Sequence, residues 1–354
     1  MAHNYDQTEV DRQFDYGLKN RASSSGKVRS VASIIYDAKR NGYQVPKQAS
    51  SGTQREECPP FELMDGVPSY LKNGMDPQDF IGPKVGQAQL FPASSISLFV
   101  AGGSVGKTTS LMAIACHIAA GKPWNDKFLL QRRGIMFSVE ETQNELDRKF
   151  GASIADWPIQ SVRKAQGNFL VYSMTGRDPR LTRSVGRDVQ STGLSAEIIK
   201  IALEHHAKFI ILDHLQGMVS GDLNNSDTMV AFAQECNRIA TATGAAVIIA
   251  AHTTKANLKA ETVEHGFSTG SLSIENAARQ VVGLIPLPEA EAKTFGLDSV
   301  RKNYIRVEMP KNSYGPGGEV SYFAKCYVDK FHTVNVVPYN PPLVSAAPFL
   351  SGEQ

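Results

Sequence analysis

The chain lacks the features of a membrane, secreted or cysteine-bridged protein. It has no apolar run of about 18 residues and no signal-peptide pattern, so we expect a cytoplasmic protein with no membrane association. It has few cysteines, and they are widely spaced: Cys58, Cys116, Cys236 and Cys326. Because they show no paired ligand spacing, they indicate reduced thiols rather than disulfides or a zinc site.

The chain also has little excess charge of either sign. The formal net charge of the 354-residue chain is only +2, so no overall basic field indicates a polyanionic partner. Basic residues are concentrated in one stretch, 19–55, where the only acidic residue is Asp37. We therefore interpret residues 1–57 as a basic flexible arm. It is either a contact for nucleic acid or a partner, or simply a solvated tail.

The remaining chain is expected to form one α/β domain. Residues 58–93 are interpreted as an ordered lead-in, 94–337 as the domain and 338–354 as a proline-rich flexible tail. Apolar strand-like runs alternate with helical stretches, which is typical of a parallel sheet flanked by helices. The runs are 97–100, 134–139, 169–174, 208–212, 245–250, 280–286, 304–309 and 320–328. A Gly-Pro-Gly-Gly turn predicts that the last two form a C-terminal β-hairpin.

A phosphate-binding loop is the most informative motif. Residues 101–109 read AGGSVGKTT, between an apolar strand and a helix. The loop residues expected to bind ATP are Gly102, Gly103, Ser104, Val105, Gly106, Lys107, Thr108 and Thr109. Small residues let backbone N–H groups face a triphosphate, Lys107 places a positive charge near its β- and γ-phosphates, and Thr108 offers a hydroxyl to Mg²⁺.

Carboxylates follow two other predicted strands. Asp213 ends an apolar strand, and in phosphate-loop enzymes such an aspartate holds Mg²⁺ from the neighbouring strand. Glu140 follows another strand and can act as the base that activates the attacking water. Glu140 and Glu141 can also cap the next helix, predicted over 142–150, with Glu141 the better cap and Glu140 the better base.

His252 ends a third apolar strand. Because ligands gather at the carboxyl ends of parallel strands, this side chain can sense the γ-phosphate. A structural role at the strand end is the alternative.

Over about residues 94–330 the order of these motifs resembles the RecA-like ATPases, and more narrowly the RepA-type hexameric replicative helicases. The segments that carry the resemblance are AGGSVGKTT (101–109), AAGKPW (119–124), SVEE (138–141), LD (212–213), AHTTK (251–255), GS (270–271), NAAR (276–279) and KNSYGP (311–316). The resemblance implies a RecA-like P-loop core with Glu140 as the catalytic glutamate, Asp213 as the Mg²⁺ aspartate and His252 as the γ-phosphate sensor.

The resemblance also implies a homo-oligomer, expected to be a hexameric ring, whose active site is completed by a basic residue of the next subunit. Lys311 lies at that position. Ser313 replaces the usual second basic residue, so Arg279 or Arg306 could substitute, or Lys311 could act alone. The loops after Asp213 and His252 are expected to bind single-stranded DNA through Lys255 and Lys259, with Phe267 the only candidate stacking ring.

These observations predict a Mg²⁺-dependent ATPase that translocates on single-stranded DNA, as a replicative helicase of a phage or mobile element. One alternative is a regulatory or recombination-mediator ATPase that switches its assembly state without unwinding DNA. A second is a nucleic-acid-binding module that uses the basic arm, with the ATPase core as its assembly platform.

Overall fold

The computed structural model describes residues 76–186, 188–254, 257, 261–264, 266–268 and 272–342. The strands are β1 (Lys84–Val85), β2 (Ala88–Gln89), β3 (Ile96–Ala101), β4 (Gly134–Ser138), β5 (Phe169–Ser173), β6 (Thr182–Val185), β7 (Asp188–Ser191), β8 (Phe209–Asp213), β9 (Ala246–His252), β10 (Gln280–Pro286), β11 (Tyr304–Asn312), β12 (Glu319–Val328) and β13 (Thr333–Tyr339). The expected basic arm, residues 58–75 of the lead-in and residues 343–354 of the tail lie outside the described residues.

The helices connect these strands. They are α1 (Lys107–Ala120), α2 (Gln143–Ser153), α3 (Ile159–Asn168), α4 (Leu194–Glu204), α5 (Leu215–Met218), α6 (Ser226–Thr243), α7 (Leu272–Ala277) and α8 (Glu289–Phe295). Two 3₁₀ helices span Asp298–Asn303 and Asp329–Phe331.

The main sheet has nine strands in the order β13-β12-β11-β10-β3-β9-β8-β4-β5. The six strands from β10 to β5 are parallel. The other three, β11, β12 and β13, extend the sheet in antiparallel pairing beyond β10. The expected α/β fold is confirmed: a RecA-like core with a parallel central sheet, flanking helices and the C-terminal hairpin of β11 and β12.

The central strands are apolar along their whole length because helices cover both faces of the sheet. All six residues of β3 are buried. Phe99 packs into the hydrophobic cluster that includes α1, whereas Leu98 and Val100 pack into the cluster on the other face, which includes Phe232 of α6. Such two-sided burial produces continuous apolar runs rather than alternation.

Helix α1 begins directly after the phosphate-binding loop. Gly106 precedes it with φ of 116°, and Gly121 follows it with φ of 67°. Both values lie in the left-handed region that favours glycine. The buried residues of α1 anchor it against the sheet, so its N-terminus is fixed at the edge of the sheet where β3 ends.

Two segments contain strands that the sequence patterns did not predict. Strands β6 and β7 pair as a small hairpin between the predicted runs 169–174 and 208–212. Strand β13 pairs with β12 and runs to Tyr339. In the lead-in, Phe91 is fully buried, and its backbone N–H donates to Gln280 Oε1 at 2.9 Å, so this part of the lead-in packs against the same sheet.

Candidate functional site

The strand register brings the predicted site residues to one edge of the sheet. Ala101, at the start of the phosphate-binding loop, pairs with His252, and Ser138 pairs with Asp213. The expectation that Asp213 stands on the strand next to the loop strand was wrong, because β9 lies between β3 and β8. Asp213 nevertheless reaches the loop, since its side chain contacts the first turn of α1.

The phosphate-binding loop is open on its outer side. A Cβ placed on Gly103 would meet nothing within 4 Å, and Ser104 has φ of 62°. Lys107, the first residue of α1, is only 7% exposed. Burial lowers the pKa of its amino group, while the negative charges of Asp213 and Glu140 oppose that shift. The arrangement combines an open loop, a helix N-terminus and one buried cation, which suits a bound triphosphate.

Thr108 and Asp213 are in direct contact. Thr108 Oγ1 donates a hydrogen bond to Asp213 Oδ2 at 2.8 Å. Burial raises the pKa of the Asp213 carboxyl to about 6, although Lys107 and the Thr108 hydroxyl both favour its ionised form. A hydroxyl and a carboxylate oxygen are hard donors of the kind that Mg²⁺ prefers, so this pair fits the ion that the sequence predicted.

The raised pKa of Asp213 has a testable consequence for stability. Because the folded carboxyl binds its proton more tightly than the unfolded one, the free energy of unfolding falls as the pH rises from about 4 to about 6. We expect Asp213→Asn to stabilise the metal-free and nucleotide-free protein at pH 7, by about 3 kcal/mol. Urea unfolding at pH 7 and near pH 4 measures the gain, which should vanish at the lower pH. Asp126→Asn, at an exposed aspartate, is the matched control. Equal gains at both pH values would contradict the assignment.

Glu140, His214 and His252 form a second group beside Lys107. Glu140 Oε1 lies 3.5 Å from His214 Nε2, and the two imidazole rings have centroids 4.7 Å apart. The Glu140 side chain is 65% exposed, whereas that of His214 is only 8% exposed. Burial, together with the positive charge of Lys107, lowers the pKa of His214 to about 3 and lowers that of His252.

The two glutamates after β4 have different surroundings. Thr142 is the N-cap of α2, and its capping box is completed by Glu145, so neither Glu140 nor Glu141 caps this helix. The helix itself spans Gln143–Ser153 rather than 142–150. Glu141 instead forms an ion pair with Lys149 of α2. Glu140 is therefore the glutamate that faces the phosphate-binding loop region, with His214 as its neighbour.

Lys311 is bound within its own chain. Its Nζ donates to the backbone carbonyls of Glu275 at 2.6 Å and Asn276 at 3.1 Å, near the end of α7. Arg306, considered as a substitute, contacts Glu291 and Glu308 and is largely buried. Arg279, the other substitute, is exposed.

The two loops expected to bind DNA are described only in part. Lys255 and Lys259 lie outside the described residues. Phe267 is 2% exposed, so this ring is a core side chain and not a stacking platform in this structure. Met218, in the loop after Asp213, is fully buried as well.

The structure adds two side chains that the sequence patterns did not single out as site residues. His214 and Arg177 line a cavity of about 460 Å³ together with Glu140. The remaining lining residues are Val139, Met174, Thr175, Gly176, Pro179, Gln216 and Gly217. The signal for His214 was its position directly after Asp213, whereas Arg177 follows the predicted run 169–174 with no motif around it.

One family of known proteins matches the segment that carries this site. Residues 83–257 match the family model described as AAA domain, a segment that contains the phosphate-binding loop, Glu140, Asp213 and His252. No curated protein sequence matches the chain. Among solved structures, one whose title describes it as an ATPase domain is similar, with 15% identity and a TM-score of 0.45, covering 68% of this chain and 84% of that one.

The matched segment contains the phosphate-binding loop within a parallel α/β sheet, so residues 83–257 have the sequence pattern of a P-loop ATPase domain. Within the part of the chain that the structure describes, no helix is both long and apolar enough to span a membrane.

Proposed function

We propose that the chain is a Mg²⁺-dependent ATPase that acts as a homo-oligomer and translocates on single-stranded DNA, as a replicative helicase of a phage or mobile element. The observation that carries the proposal is the convergence of Lys107, Thr108, Asp213, Glu140 and His252 at one sheet edge. The loops that follow Asp213 and His252 start at this same edge, so they are well placed to respond to the bound nucleotide.

The proposed mechanism relies on positioning and on charge. Lys107 and the loop backbone hold the β- and γ-phosphates. Thr108 and Asp213 would hold Mg²⁺, which would supply positive charge beside the phosphates. Glu140 orients the attacking water and accepts its proton. His252, at the end of β9, contacts the γ-phosphate and changes its contacts when that phosphate leaves.

The completion of the site by a second subunit is part of the proposal. Lys311 is the candidate basic residue, and it would have to leave the carbonyls of α7 to reach a neighbouring nucleotide. This restraint in its own chain favours the second candidate function, a regulatory or recombination-mediator ATPase that switches its assembly state without unwinding DNA.

The deciding experiment is ATP turnover with and without single-stranded DNA. We expect DNA to stimulate turnover of the wild type, and Lys255→Ala and Lys259→Ala to remove the stimulation while leaving basal turnover in place. DNA binding should also become less dependent on salt, with the slope of log K against log salt falling by about 0.7 for each lysine removed.

Lys302→Ala removes an exposed lysine from the 3₁₀ helix Asp298–Asn303 and is the matched control. Turnover that DNA does not change would contradict the motor and support the regulatory ATPase. Loss of DNA binding only when residues 1–57 are deleted, with turnover intact, would instead support the basic arm as the DNA contact.

A further inference from the structure

Two histidines and a glutamate from three different strand ends converge beside the nucleotide site. Glu140 follows β4, His214 follows β8 and His252 ends β9. One potential ligand atom from each of these residues lies within 4.8 Å of the other two. The exposed carboxylate leaves the group accessible from solvent. Two imidazole nitrogens and one carboxylate oxygen, with an open fourth position, are a ligand set that zinc uses in proteins.

The distances are close to those of a tetrahedral zinc site. Zinc–nitrogen and zinc–oxygen bonds of about 2.0–2.2 Å place neighbouring ligand atoms about 3.3 Å apart. Glu140 Oε1 and His214 Nε2 are already 3.5 Å apart. No separation in the group exceeds the tetrahedral value by more than about 1.5 Å. Because the Glu140 side chain is mostly exposed, rotation about its own bonds can adjust the distances from its carboxylate to the two imidazoles.

The donor types separate this group from the adjacent Mg²⁺ pair. Thr108 and Asp213 offer oxygen atoms alone, which suit Mg²⁺. His214, the next residue after Asp213, offers nitrogen, and imidazole favours zinc and other transition metals over Mg²⁺. Lys107 lies near both groups, but the charge of Asp213 offsets its own. The two groups therefore favour different divalent cations: the oxygen pair favours Mg²⁺, and the group with two imidazoles favours zinc.

We propose that Glu140, His214 and His252 bind Zn²⁺ when no nucleotide is present, and that bound Zn²⁺ slows ATP turnover. The ion would hold the Glu140 carboxylate as a ligand, so that this group could not accept a proton from water. The slowing rests on the proposed role of Glu140 in ATP hydrolysis, whereas the binding itself does not.

The test of binding uses Co²⁺ as a spectroscopic substitute for zinc. Full-length protein carrying both Cys58→Ser and Cys326→Ser, whose two remaining cysteines are buried, is titrated with Co²⁺ in the presence of Mg²⁺ and without nucleotide. We expect one equivalent to produce the visible absorption of a tetrahedral cobalt site and Zn²⁺ to remove it. His252→Asn and Glu140→Gln, each in this background, should weaken binding by about tenfold or more, which is the scale of losses when the shell of a metal site is disturbed.

His206→Asn is the matched control, because His206 is an exposed histidine outside the group. Its φ of 55° is a conformation that asparagine accepts, so this change should leave both the fold and the cobalt spectrum unchanged. A missing cobalt band, or a band that survives both His252→Asn and Glu140→Gln, would overturn the proposed metal site.

The test of regulation measures Mg²⁺-ATP turnover at a buffered free Zn²⁺ concentration, since ATP itself binds zinc. We expect Zn²⁺ to lower wild-type turnover by about tenfold at saturation, while the turnover that His252→Asn retains changes by less than twofold. Saturated binding without slowing would overturn the inhibitory role. A chain that binds cobalt as expected but never hydrolyses ATP would refute the proposed function and still support the metal site.

Discussion

Replacement of Lys107 with alanine is expected to lower ATP turnover by roughly 10³-fold, the scale on which a single basic group stabilises phosphoryl transfer. Lys107 is the one phosphate-facing cation of the loop motif, and it is held at the start of α1 with its side chain buried. If Lys107 were exposed, another nearby cation could take over its role. Because it is buried at a helix N-terminus, its removal leaves a gap that water fills poorly. Steady-state turnover at saturating Mg²⁺-ATP measures the loss.

Lys127→Ala is the matched control, because Lys127 is an exposed lysine in the loop after α1. Its turnover should equal that of the wild type. A Lys107→Ala protein that keeps more than about a tenth of wild-type turnover would contradict the assignment of this loop as the site of phosphate binding.

Replacement of Glu140 with glutamine is expected to lower the rate of hydrolysis by roughly 10²–10⁴-fold while nucleotide affinity stays within a few fold. Glutamine keeps the size of the side chain and cannot accept the proton of the attacking water. Because Glu140 is largely exposed, the change should not disturb the core. Single-turnover hydrolysis and equilibrium binding of a fluorescent nucleotide separate the two effects.

Glu141→Gln is the comparison that tests the choice between the adjacent glutamates. Glu141 pairs with Lys149 of α2, so its replacement should mainly lower the free energy of unfolding and should change ATP turnover little. If Glu141→Gln removed hydrolysis and Glu140→Gln did not, the assignment of the base would be wrong.

The parallel part of the sheet could be predicted because its strands are buried on both faces. Such strands read as unbroken apolar runs, and β3, β4, β8, β9 and β10 were found within two residues of their bounds. Strand β13 was missed because Pro338 lies inside it and was interpreted as part of a loose tail. β13 is the edge strand, paired on one side only with β12, and an edge position tolerates proline.

The small hairpin of β6 and β7 was missed for a different reason. Its strands are only four residues long and mostly exposed, so they carry no apolar alternation that could distinguish them from a loop. Its turn is marked by Gly186, which has φ of 64°, but a single glycine occurs in many loops. Short polar hairpins of this kind depend on their tertiary neighbours for stability.

The sequence could predict those site residues that lie at strand ends. Asp213 and His252 end neighbouring parallel strands, so their meeting near the phosphate-binding loop follows from topology. The contact of Glu140 with His214 could not be anticipated, because it depends on how the chain turns after β4 and β8. The position of Lys311 against the end of α7 depends likewise on the pairing of β11 with β10.

Glu275 contacts both the loop after β9 and Lys311, to which different roles are assigned. Its buried carboxylate accepts hydrogen bonds from the backbone N–H groups of Gly266 and Ser268, and its own carbonyl accepts one from Lys311. The loop after β9 and the side chain of Lys311 are therefore both held by contacts with Glu275. If Lys311 were drawn toward another molecule, it would leave the backbone of the residue whose side chain supports this loop, so the loop lies where it can respond to that movement.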